Sequence, residues 1–137
     1  MSRVELDPEV REFLRAHLRS YEQLEILLAL RGAPRNWSLG ELALDLGIDD
    51  APASVALETL REAGLVKAWT VAGARTFSYV ARSTTADHIL ALIARERQER
   101  PAALLRVMSE QALERLRTSA AQAFADAFVL RKDKSDG

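Results

Sequence analysis

The stretch SLGELALDLGIDDAPASVALETLREAGLV, residues 38–66, decides the fold. Ser38 with Glu41 three residues later is the pattern of a capping box, in which a hydroxyl and a carboxylate satisfy two orphan backbone donors at a helix start. Trp37, just before it, is placed to staple onto Leu42. The pattern predicts a helix over 39–46, with Leu42, Ala43 and Leu46 inward and Gly47 supplying the left-handed residue that ends it. Asp49 reads as the cap of a second helix. Its first turn tolerates Pro52, its inward face is Ala53, Ala56, Leu57 and Leu60, and its left-handed stop is Gly64. Leu65 and Val66 then open a strand, so the order is helix, tight turn, helix, strand.

The flanks extend this pattern. Upstream, Asp7 followed by Pro8 pairs a cap with a first-turn proline, whose missing N–H would be orphaned there in any case. A helix over 8–18 lines up Val10, Phe13, Leu14, His17 and Leu18 at spacings of three and four. Ser20 with Gln23 caps a second helix, apolar nearly all round through Leu24, Ile26, Leu27, Leu28 and Leu30 and ending near Gly32. Downstream, 65–71 and 75–81 are β-prone runs joined by Ala72-Gly73-Ala74, with Trp69 and Val71 alternating in one and Phe77 and Tyr79 in the other. Two helices across a tight turn, backed by a hairpin, make a winged helix-turn-helix whose wing is the hairpin tip.

Past Ser83-Thr84-Thr85 a long helix begins, with Ala86, Ile89, Leu90 and Ile93 on one face. Pro101 kinks or restarts it, since proline removes a backbone bond and clashes with the preceding turn, before Leu104, Leu105 and Met108 resume the apolar face. Ser109 reads as the cap of a last helix reaching Leu130. In it Leu113, Leu116, Ala120, Ala123, Ala127 and Leu130 recur at alternating spacings of three and four, flanked by Phe124 and Phe128. Such a seam asks for a partner helix. The expected organisation is one mainly α winged-helix domain over 1–137. It divides into N-terminal helices at 8–31, helix-turn-helix and wing at 38–82, C-terminal helices at 85–131 and a flexible polar tail at 132–137.

Composition removes several classes of function. There is no cysteine, so disulfides, thiolate nucleophiles and Cys-containing metal sites are excluded. His17 and His88 lie far apart with no acidic neighbour at ligand spacing, so no metal is expected, and His17 reads as a helix-face residue at the edge of the core. Neither a G-x-S-x-G turn nor a phosphate-cradling glycine loop is present, so no catalytic residue and no cofactor is expected. No segment reads as a signal peptide or approaches the ~18 apolar residues of a membrane span, which points to the cytoplasm. The near-neutral total charge hides an uneven distribution. Residues 37–64 set six carboxylates against the single Arg61, whereas residues 65–82 carry Lys67, Arg75 and Arg82 and no acid.

Residues 38–66 resemble the helix-turn-helix of MarR-type winged-helix bacterial transcription regulators, matching at Leu42, Ala43, Leu46, Gly47, Leu57, Leu60 and Gly64-Leu65-Val66. The order of elements along the chain is similar as well. The resemblance implies a cytoplasmic homodimer that regulates transcription by binding DNA, joined through its terminal helices. On that reading the side chains able to contact DNA are Ser54, Thr59, Arg61, Lys67 and Arg75. Dimerisation falls to Leu113, Leu116, Ala120, Ala123, Phe124, Ala127 and Phe128. The scaffold positions match, but the groove-facing ones depart from the pattern: donors for base edges and phosphates are few, and Asp50 and Glu58 would meet phosphate with like charge. A second reading therefore stays open, a non-catalytic protein-interaction module that docks a partner on Asp50, Ala51, Pro52, Val55 and Glu58. Trp37, Trp69, Phe77 and Tyr79 read as core residues sooner than as the lining of an effector pocket, and the sequence names no effector.

Overall fold

Local sequence signals set most element boundaries. The computed structural model describes residues 6–135, with side chains through residue 129. Along the chain run α1 (Pro8–His17), α2 (Tyr21–Gly32), β1 (Trp37–Ser38), α3 (Leu39–Leu46), α4 (Asp50–Glu62), β2 (Val66–Val71), β3 (Ala74–Tyr79), α5 (Thr84–Glu99) and α6 (Pro101–Ser135). This is the expected mainly α winged helix-turn-helix.

The capping box at α3 is complete: Glu41 N–H donates to Ser38 Oγ and Ser38 N–H to Glu41 Oε1, each at 3.1 Å. Both α3 and α4 end in Schellman turns. Gly47 at φ 67° precedes an Ile48 N–H that donates to Ala43 O, and Gly64 at φ 77° precedes a Leu65 N–H that donates to Leu60 O, both at 3.0 Å. These left-handed residues fold the middle of the chain into its helix pair. Ser20 caps α2 and Ser83 caps α5 through their hydroxyls. Asp7 and Asp49 differ from expectation: each occupies the cap position but makes no side-chain cap bond. Helix α1 ends at His17, one residue early, because Leu18 is already extended.

The core centres on α2, whose Leu24, Ile26, Leu27 and Leu30 are fully buried with Leu42 of α3, Leu57 and Leu60 of α4, and Leu90 and Ile93 of α5. Each such side chain contributes about 2 kcal/mol by leaving water. Trp37, Phe77 and, in part, Tyr79 join this core, but Trp69 stands outside it at 43% exposure.

Three features depart from the sequence reading. A third strand completes the sheet, which is antiparallel in the order β1-β3-β2, with Trp37 opposite Phe77 and Ser38 opposite Thr76. Two residues are too few for a period-2 pattern to show. The hairpin itself turns in two residues, Ala72 and Gly73, both at positive φ, with Val71 opposite Ala74. The chain does restart at Pro101, but α6 then continues unbroken, so Ser109 is an exposed interior residue and no separate last helix exists. The helical backbone passes through the stretch read as a polar tail as far as Ser135; residues 136 and 137 and the side chain of Leu130 lie outside the described residues.

Candidate nucleic-acid interface

In a winged helix the surface that meets a duplex is built from the outer side of the second motif helix and from the wing. Here α4 buries Ala53, Ala56, Leu57 and Leu60 and turns Asp50, Ala51, Ser54, Val55, Arg61 and Glu62 outward, with Glu58 half-buried between them.

Glu58 is the centre of this surface. It pairs with Arg61 one turn on, at 2.9 Å, and with Arg75 of the wing, at 2.6 Å. One carboxylate thus ties the second motif helix to the hairpin and is shared by two guanidiniums, leaving the cluster with one net positive charge. The Arg61 guanidinium first, and Arg75 after it, holds the Glu58 carboxyl below the usual carboxylate range, so the pairing persists at neutral pH. Arg75 also lies over the Phe77 ring, 5.1 Å from its centroid, and is therefore positioned from two sides.

The five residues expected to touch DNA are placed unequally. Arg61 and Arg75 are brought together through Glu58. Ser54 is exposed one turn before Glu58 on the same helix face. Thr59 is half-buried and its hydroxyl donates to Val55 O at 3.1 Å, back along its own helix. Lys67 lies on the opposite face of the hairpin. In the register Lys67 faces Ser78 and Thr70 faces Arg75, and alternation puts the two cations on opposite sides of the sheet. Lys67 Nζ stands 4.2 Å from the centroid of the Trp69 ring, whose Nε1–H donates to Ser78 Oγ at 2.9 Å. Of the residues proposed for protein contact, Asp50, Ala51, Pro52 and Val55 are exposed, Val55 at 67%, while Glu58 is engaged as described.

The C-terminal seam is open. From Pro101 to Arg115 helix α6 lies on the body, burying Ala103, Leu104, Val107 and Met108 and donating from Gln111 and Arg115 to the α1 backbone oxygen of Arg11 and to the oxygen of Arg19. Beyond Arg115 every described residue is exposed. Leu113, Leu116, Phe124 and Phe128 are 51, 66, 75 and 62% exposed, and Ala120, Ala123 and Ala127 lie in the same run.

Two features escaped the sequence reading. The helical spacing of Glu58 and Arg61 was readable, but the pairing with Arg75 joins residues seventeen apart and exists only in the fold. Asp87 is likewise invisible as a link: it accepts from Tyr79 OH at 2.7 Å and from Arg31 Nε at 3.1 Å, fastening α5 to β3 and α2. Burial first, then the Asp87 carboxylate, pushes the Tyr79 hydroxyl up to about 12. The His17 ring packs at a tilt against Phe13, with centroids 4.9 Å apart, and its pKa is kept below the ordinary value by burial, then by Arg82, as suits a core-edge histidine. Among the described residues no group of three His, Cys, Asp or Glu stands at metal-holding distance, and no helix is long and apolar enough to cross a membrane.

Residues 24–68 match the IclR helix-turn-helix domain. No curated protein matches the chain. Among solved structures, the fold is similar to the transcriptional regulator SlyA, at 18% identity over 85% of this chain and 80% of that one with a TM-score of 0.54. It is also similar to the transcriptional repressor BigR from Xylella fastidiosa, at 22% identity over 65% and 85% with a TM-score of 0.52. The adhesin competence repressor AdcR from Streptococcus pyogenes is similar at 17% identity over 81% and 80%, with a TM-score of 0.50. At such identities the likeness is one of fold: the chain has the winged helix-turn-helix of these regulators, and the resemblance read from residues 38–66 holds at that level.

Proposed function

We propose that this chain is a winged-helix transcription regulator that acts in the cytoplasm as a homodimer on DNA, using all of residues 1–137 as one winged-helix unit and performing no catalysis. The observation that carries the reading is the meeting of Arg61 and Arg75 at the junction of α4 and wing, the place where this scaffold offers cations to a duplex. Ser54 adds a hydroxyl on the same helix face. Thr59 and Lys67 contribute less in this reading, one through its own helix bond and the other from the far face of the hairpin. The exposed seam of α6, from Leu113 to Phe128, supplies the surface between two copies. The three regulators of the same fold support the reading.

The test is fluorescence anisotropy of a labelled random duplex across a salt series. Binding at ~20 mM salt that weakens steeply as salt rises, and that falls when Arg75 becomes Ala, is the expected result. A specific observation favours a second reading. Outside the Glu58 pairs, the exposed face of α4 carries carboxylates and no further cation among the described residues. Absence of duplex binding even at ~20 mM salt would replace the DNA reading with that of a protein-docking module whose contact face is Asp50, Ala51, Pro52, Val55 and Glu58.

A further inference from the structure

The outer side of α3 adjoins the α4 face described above and shares Asp50 with it. Leu44 is 86% exposed, more than any other large hydrophobic residue described, although its neighbours Leu42 and Ala43 are buried. A lone exposed leucine carries little information, but this one stands as a ridge between two depressions. The first, about 710 Å³, runs from Gly40 and Ala43 past Gly47 and Ile48 to Asp49 and Asp50. The second, about 450 Å³, lies between Trp37, Glu41 and Asp45, with Arg35 at its edge. Gly40 and Gly47 leave the floor of the first depression open: a Cβ added at either would meet nothing within 4 Å.

The unpaired charge around this ridge is of one sign. Arg35 is held by Glu41 at 2.9 Å, while Asp45, Asp49 and Asp50 form no ion pair among the described residues. Asp49 occupies the cap position of α4 without making a cap bond, so its carboxylate stays available to a partner. An apolar ridge over open hollows, rimmed by unbalanced carboxylates, repels a nucleic acid and complements a basic surface with an apolar centre.

We propose that the α3 ridge is a docking surface for a basic protein segment, a helix that sets an apolar side chain against Leu44 and presents arginine or lysine to Asp45, Asp49 and Asp50. The surface is distinct from the Arg61–Glu58–Arg75 cluster and does not depend on the DNA reading.

The probe is a synthetic eighteen-residue amphipathic helix of leucine and lysine, titrated into the isotope-labelled full chain and followed by amide chemical shifts. Shifts are expected to concentrate at Gly40, Leu44, Gly47 and Ile48, and binding to weaken with salt. The same peptide with glutamate in place of lysine should not bind. Leu44→Ser should lower the affinity about tenfold or more, the loss expected when one buried leucine contact is removed. Asp45→Asn should lower it independently, and neither variant should change duplex binding. Because Leu44 is so exposed, its replacement leaves the core intact, which a melting curve checks. Shifts confined to the α6 seam, or an affinity unmoved by Leu44→Ser, would overturn the proposal. A change in solution mass on Leu44→Ser would overturn it too, by showing that the ridge seats a second copy of the chain.

Discussion

Replacing Glu58 with Gln is the sharpest probe of how this surface meets a polyanion. The variant keeps the size of the side chain and one carbonyl acceptor and removes the charge, so it frees Arg61 and Arg75 from ion pairs at 2.9 and 2.6 Å. Each cation that then meets a phosphate steepens the slope of log K against log salt by about 0.9. Removing one negative charge adds one net cation to the cluster, and at ~0.1 M salt one added contact is worth roughly 8-fold in affinity. The parent chain, in which one carboxylate offsets one of the two guanidiniums, should therefore bind random duplex weakly. Glu58→Gln should bind more tightly by a factor of roughly 8, with a slope steeper by about 1. Anisotropy of a labelled 25-base-pair duplex between ~20 and ~200 mM salt reads both quantities, and a thermal melt confirms that the variant is folded. A folded variant with unchanged affinity and slope would mean that neither arginine reaches a phosphate, and the proposed interface would be wrong.

Three further outcomes follow from other parts of the molecule. Ala123→Glu sets a charge in the α6 seam and should convert dimers to monomers, read as a halving of solution mass by light scattering; an unchanged mass would place the dimer contact elsewhere. Ala72 is the only non-glycine left-handed residue among those described, at φ 52° in the first position of the hairpin turn, so Ala72→Asn should stabilise the fold by about 0.5–1 kcal/mol and raise Tm by roughly 2–4 °C. A lowered Tm would argue against that turn. Asp87→Asn should destabilise by about 1 kcal/mol at neutral pH, the modest figure reflecting a carboxylate that is 41% exposed. Arg31, and then Tyr79, holds the folded carboxyl below its unfolded value, so its contribution is complete above the unfolded pKa and disappears as pH falls through the folded one. The gap between parent and variant in urea melts should be full at pH 7 and close below about pH 4; a gap constant across that range would assign the loss to packing.

What the sequence determined about this protein is what short-range chemistry can write. Ser38 with Glu41 starts α3, Gly47 and Gly64 end the motif helices through backbone angles that β-carbons disfavour, and apolar residues at helical spacing select the buried faces of α1 to α4. These signals lie within five residues of the structure they cause. The third strand, the unbroken α6 and the roles of the charged residues were decided by tertiary structure. A two-residue strand exists only because Phe77 lies opposite Trp37, and Ser109 has no cap to make because α6 had already restarted at Pro101. Glu58 was legible as an acid that would repel phosphate. That it also balances a wing arginine depends on the hairpin folding back over α4, and no spacing along the chain encodes a Coulomb partner brought near by packing.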